Sequence, residues 1–198
     1  LEERRPLLAL ELTVLADGVA DVRLTRADKM NALDPAMFDA LIDVTGTLAE
    51  GNRVRAVVVH GAGKSFCSGL DVSSLGQGGG VNSLLEREPG VLGNHAQRVS
   101  LDWGRIPAPV IAAITGNCFG GGLQIALGAD IRYSTPDARL SIMEVKWGLV
   151  PDMGITQTLP RLVSADVAKT RLASEVVVGG DNVTDSQEII STMAGVSL

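Results

Sequence analysis

Three consecutive glycines, Gly120 to Gly122, stand between two apolar runs in the stretch PVIAAITGNCFGGGLQIAL, residues 109–127. Glycine is the poorest common helix residue after proline. Three of them at the start of a helix therefore mark a demanding strand-to-helix junction. Two readings fit. In one, the unpaired N–H groups of a helix N-terminus receive an anion or an oxyanion, and the missing Cβ atoms let it approach. In the other, the glycines make a tight turn packed against a sheet.

The rest of the chain supplies a frame for that junction. Leu8 to Leu15 alternates loosely and Val19 to Leu24 follows, with Asp17-Gly18 between them as a two-residue hairpin signal. Asp34 and Pro35 are suited to the cap and first position of a helix, with Leu33 placed to staple onto Phe38. Met37, Leu41, Val44 and Leu48 form its apolar stripe. VRAVVVHGAG and PAPVIAAITG read as buried, parallel strands. ADIRYS and ARLSI read as short strands, Leu92 to Trp103 as a mostly polar helix, and PDMGITQTLPRLV as a loop and short helix stopping near Pro160. Residues 76–83, GQGGGVNS, read as a flexible segment. Strands alternating with helices predict an α/β domain with crossovers.

Bulk composition narrows the function. The 198 residues are 45% hydrophobic and only 3% aromatic, enough for one domain with a core of Leu, Val, Ile and Ala. A net charge of −6 argues against a nucleic-acid partner. No run is apolar for long enough to span a bilayer and no stretch reads as a signal peptide, so the expectation is a cytoplasmic protein without a membrane partner. Cys67 and Cys118 fit no metal-ligand spacing and are expected as buried thiols. His60 and His95 join no motif, and Trp147 is expected to pack.

Phosphate loops and serine hydrolases fit poorly. The glycines are followed by no Lys-Ser/Thr and show no G-x-G-x-x-G spacing, and G-x-S-x-G is absent. A second glycine turn, KSFCSGLDV, follows the other buried strand. Two strand-to-loop junctions that both offer backbone N–H groups can converge on one carbonyl oxygen.

FCSGLD, PVIAAITGNCFGGGLQIALGADIRYS, MEVKWGLVPDMGITQTLPRL and RADKMNALD occur in the order and spacing of the crotonase superfamily, the enoyl-CoA hydratases and isomerases, which this chain resembles from Leu8 to Lys169. The resemblance implies a single-domain spiral of ββα units acting on acyl-CoA thioesters, with the thioester as substrate and no separate cofactor or metal. It maps the oxyanion amides onto Leu70 and Gly121 and the catalytic positions onto Glu144 and Gln124. It places Arg26, Lys29, Ser68 and Asp71 beside CoA; taken alone, Arg26 and Lys29 also fit a solvated basic pair.

Hydratases of the family commonly hold a glutamate where this chain has Gln124, and an amide moves no proton near neutral pH. Asp152 lies eight residues after Glu144, a spacing similar to the Δ3,5-Δ2,4-dienoyl-CoA isomerase branch, although it also fits a helix cap after Pro151. That branch usually has aspartate at the position of Gln124. The resemblance therefore favours an isomerase over a hydratase, with a non-catalytic acyl-CoA-binding paralogue as the further alternative. It implies a homotrimer or hexamer. It fades beyond Lys169, so residues 1–170 are expected as the core and 171–198 as a truncated or atypical tail.

Overall fold

The computed structural model describes residues 3–7, 9–74 and 84–174. The glycine-rich stretch 76–83 and the tail beyond 174 lie outside these described residues.

A six-stranded sheet carries the architecture. Its strands are β1 (Glu3–Leu7), β2 (Leu10–Val14), β3 (Val19–Leu24), β4 (Ala56–Gly61), β5 (Val110–Ile114) and β7 (Ile131–Ser134), side by side in that order. The first three pair antiparallel, and β3, β4, β5 and β7 run parallel. A second, two-stranded parallel sheet joins β6 (Asn117–Phe119) to β8 (Arg139–Ser141). The α/β class follows from local pattern, since β-branched runs end in glycine and helices cross between them.

Asp34 caps α1 (Pro35–Glu50) by accepting from the Met37 N–H at 2.9 Å, with Pro35 in the first turn. Met37, Leu41, Val44 and Leu48 are buried as their spacing predicts. α2 (His95–Leu101) is closed by a reciprocal cap: Asn94 accepts from Gln97 N–H at 2.9 Å and Gln97 accepts from Asn94 N–H at 3.0 Å. It is shorter than the stretch 92–103 and continues as a 3₁₀ turn, Asp102–Arg105. Of the stretch read as mostly polar, Ala96 and Val99 on α2 and Trp103 on the 3₁₀ turn enter the core. α3 (Gly121–Gly128) follows the three glycines, and α4 (Ile155–Thr158) and α5 (Ala165–Leu172) complete the described chain.

Three expectations need correction. The β2–β3 hairpin closes through three residues, because Leu15 N–H bonds the Val19 carbonyl and Gly18 adopts φ +86°. A left-handed glycine after a type I turn gives that longer loop. The parallel strands are buried on one face: Val57, Val59, Val110 and Ala112 are sealed, while their alternate neighbours are half-buried. Trp147 is 63% exposed rather than packed.

Candidate functional site

The four motifs separated in sequence lie side by side in space. Cys67 bridges Cys118 in parallel, with Cys67 N–H donating to the Asn117 carbonyl at 3.0 Å and Phe119 N–H to the Cys67 carbonyl at 2.9 Å. Cys118 in turn opposes Leu140 of β8. The segment 26–34 joins from the other side. Ser68 N–H donates to the Met30 carbonyl, Leu33 N–H to the Gly69 carbonyl, and Asp71 N–H to the Leu33 carbonyl.

Parallel pairing at Cys67 and Cys118 sets the two glycine turns in step. Leu70 and Gly121 each lie three residues beyond their bridged cysteine. Neither backbone N–H has an acceptor among the described residues. For Gly121 the reason is general, since the first N–H groups of a helix have no intrahelical partner. The turn needs glycine for separate reasons. Gly120 adopts φ +51° and ψ −122°, a region that side chains disfavour. A Cβ on Gly122 would stand 2.6 Å from the Cys67 carbonyl oxygen. The packing of the glycine turn is thus tight, and the Gly121 N–H has no acceptor among the described residues.

Glu144 opens a 3₁₀ turn, Glu144–Trp147, just after β8, whose Ser141 carbonyl accepts from Gly120 N–H at 2.9 Å. That bond brings Glu144 over the glycine turn: a Cβ on Gly120 would lie 3.5 Å from Oε1 and 3.8 Å from Oε2. Gln124, 1% exposed on α3, donates from Nε2 to Glu144 Oε1 at 2.7 Å. Glu144 Oε2 is buried and makes no hydrogen bond of ordinary length and angle. Burial is the main cause that pushes the Glu144 carboxyl above the usual carboxylate range. Nearby backbone N–H groups and the Gln124 amide pull it back, and the negative charge of Asp152 adds to the rise.

Asp152 is therefore within electrostatic reach of Glu144, at the exposed side. It caps no helix, because α4 starts after Gly154 without a side-chain cap. Lys29 is exposed, and Ser68 Oγ makes one long contact of 3.5 Å to the Lys29 carbonyl. Arg26 is engaged by carboxylates of this chain. Its NH2 lies 3.0 Å from Asp71 and 3.2 Å from Asp34, and its NH1 donates to the Ala32 carbonyl. Arg26 and Asp71 tie the 26–34 segment to the 68–71 turn. Hydrogen bonds from the Ser73 hydroxyl and Arg26 hold the Asp71 carboxyl below its ordinary value.

Two supports gave no sequence reading. Asn31, fully buried at φ +55°, donates from Nδ2 to the Ala62 and Ser65 carbonyls at 2.9 and 2.8 Å. Ser100 donates from Oγ to the Gln124 carbonyl at 2.7 Å, pinning α3 to α2. An asparagine tolerates that backbone better than other side chains, which is the one signal that could have singled out Asn31. Ser100 carries no such mark. Cys67 and Cys118 are buried, and burial pushes the Cys67 thiol up to about 12. His60 and His95 pair with Asp21 at 2.7 Å and Asp39 at 3.0 Å, outside this constellation. No cluster of three His, Cys, Asp or Glu that could hold a metal occurs among the described residues, and no described helix is long and apolar enough to cross a membrane.

Chemically, backbone amides without an acceptor can stabilise an enolate, and a buried carboxylate can move a proton. Comparison with known proteins points the same way. The sequence model of the family described as enoyl-CoA hydratase/isomerase matches residues 15–187, past the 170/171 boundary drawn from the sequence. The chain is 36% identical over 171 residues to a mitochondrial Δ(3,5)-Δ(2,4)-dienoyl-CoA isomerase of Mus musculus, covering 78% of this chain and 49% of that protein. It is 38% identical over 153 residues to a short-chain-enoyl-CoA hydratase of Clostridium acetobutylicum, covering 76% and 56%. It superposes on an enoyl-CoA hydratase crystal structure from Bacillus anthracis with TM-score 0.80 at 25% identity, over 94% of this chain and 68% of that one. The chain thus spans about half the length of these curated relatives.

Proposed function

Because the chain belongs to the enoyl-CoA hydratase/isomerase family, we propose that it shifts a double bond of an enoyl- or dienoyl-CoA through a thioester enolate. The observation that carries this is the parallel Cys67–Cys118 bridge: it puts Leu70 and Gly121 at matching positions on neighbouring turns, neither N–H has an acceptor among the described residues, and the Glu144 carboxylate lies over the second turn. Glu144 Oε2 takes a proton from the carbon next to the thioester. The C–H electrons move onto the thioester oxygen, where the two amides meet the developing charge. One well-placed donor of this kind stabilises a transition state by about 3 kcal/mol. The proton then returns at the far end of the conjugated system and the charge collapses back.

Gln124 supports isomerisation over hydration. Water addition in this family commonly uses two glutamates on one water, and here one of the two places holds an amide that neither takes nor gives a proton. Asp152 is the second carboxylate available for a dienoyl substrate, since its charge is felt at Glu144. Of the residues placed beside CoA, Lys29 and Ser68 remain open to it, whereas Arg26 and Asp71 act by holding the turn. The resemblance also implies a trimer or a dimer of trimers. The exposed Val145, Trp147, Leu149 and Val150 suit an interface, which the mass in solution tests.

Incubation with 3,5-dienoyl-CoA, 3-enoyl-CoA and 2-enoyl-CoA, followed by absorbance, tests the reaction. Growth of a 2,4-diene or 2-enoyl signal is the expected result. Loss of the 2-enoyl band would favour hydration, and binding without turnover would favour a non-catalytic acyl-CoA-binding protein.

A further inference from the structure

The Gln124–Glu144 contact divides the labour between the two oxygens of one carboxylate. Oε1 accepts from Gln124 Nε2 at 2.7 Å, and Oε2 is buried and makes no hydrogen bond of ordinary length and angle among the described residues. The amide is confined by burial, since Gln124 is 1% exposed, and the helix that carries it is pinned where the Ser100 hydroxyl donates to the Gln124 backbone carbonyl at 2.7 Å; the side-chain Oε1 of Gln124 is buried and has no hydrogen-bond partner among the described residues. A carboxylate oxygen that already accepts a short bond from a fixed donor is the poorer site for a further proton. We propose that Gln124 is a positioning residue that ties Oε1 and leaves Oε2 as the single atom of Glu144 that both takes the substrate proton and returns it.

This rests on the isomerase reading above and specifies how that site handles hydrogen. In the first step a C–H bond breaks, its electrons pass to the thioester oxygen, and an O–H bond forms at Oε2. In the second step that O–H bond breaks, its electrons stay on Oε2, and the enolate electrons form the new C–H bond. Nothing is oxidised or reduced. Because Oε2 is sealed from water, the hydrogen it carries stays with the substrate and does not exchange. A glutamate at position 124 would lose this arrangement, since two facing carboxylates share a proton and both offer acceptor oxygens.

The test compares wild type with Gln124→Met, which keeps the volume and removes the donor, and with Gln124→Asn, which withdraws the donor by one methylene. Two readouts are used. The Glu144 carboxyl is titrated by carbon-13 NMR without substrate, and deuterium retention is measured during isomerisation of a 3-enoyl-CoA deuterated at the carbon next to the thioester. Wild type should retain most of the label. Both variants should titrate at higher pH, lose label to solvent, and show kcat lower by roughly tenfold with KM little changed. A variant that folds and matches wild type in titration and retention overturns the role of Gln124. Wild type that isomerises none of the substrates overturns the isomerase reading itself, and the titration then reports separately whether Gln124 holds Glu144.

Discussion

Gly122 offers the sharpest perturbation of the two-turn junction. An alanine Cβ there would meet the Cys67 Cβ and carbonyl oxygen at 2.6 Å and its Sγ at 2.8 Å. All three atoms belong to the bridged, fully buried Cys67, and two of them, the Cβ and the carbonyl oxygen, cannot move aside by side-chain rotation. Forcing one methyl group into such a site costs about 1–3 kcal/mol. For a chain of this size that lowers Tm by roughly 2–12 °C. Gly121→Ala is the matched control. Its Cβ would meet the ends of two flexible side chains, Leu33 Cδ1 and Met153 Sδ, both at 2.8 Å. These can turn aside, so the expected cost is below about 1 kcal/mol. Gly122→Ala also pushes the Cys67 strand away from α3 and spreads the amides of Leu70 and Gly121. Losing one donor should lower kcat by about 100- to 1,000-fold. Thermal unfolding and the isomerase assay measure the two effects. A Gly122→Ala protein with wild-type Tm and turnover would refute the close approach of the two turns.

Other substitutions separate roles that the structure assigns. Arg26→Met removes the guanidinium from beside Asp71 and Asp34 and should destabilise by about 1–3 kcal/mol in denaturant unfolding, while affinity for free CoA stays near wild type; a selective loss of CoA binding would instead support Arg26 as a phosphate contact. Asn31→Ala strands the Ala62 and Ser65 carbonyls and should cost about 2–3 kcal/mol by the same measurement. Glu144→Gln should abolish turnover and spare CoA affinity. Since burial raises the folded-state value of Glu144, its protonation favours folding at low pH, and that gain is lost as pH rises through the raised value. Glu144→Gln should therefore be more stable than wild type at about pH 8, with the advantage shrinking at about pH 5. The acid limb of wild-type kcat/KM should lie above the ordinary carboxylate range for the same reason.

Much of the fold is legible because its signals are local. The Asp34-Pro35 cap, the α1 stripe and the β-branched runs of β4 and β5 each fit within one short window. The reciprocal cap of Asn94 and Gln97 was equally local, and its spacing marks the true start of α2. Partnerships across the chain are another matter. Arg26 and Asp71 are 45 residues apart, and neither position shows that the guanidinium faces a carboxylate rather than solvent. Ser100 and Gln124 are likewise joined only by the packing of α2 on α3. Asp152 showed two equal faces in sequence; the cap-free start of α4 removes the helix-cap reading, and the catalytic reading stays a proposal that the substrate assay tests.

The convergence of the Leu70 and Gly121 amides is tested most directly by the infrared stretch of a bound thioester carbonyl. A saturated acyl-CoA labelled with carbon-13 at the thioester carbon binds without reacting and isolates that one band. Two inward N–H donors should lower its frequency below that of the same compound free in water, and Gly122→Ala should reverse the shift. A bound band at the free-water position would contradict the oxyanion site.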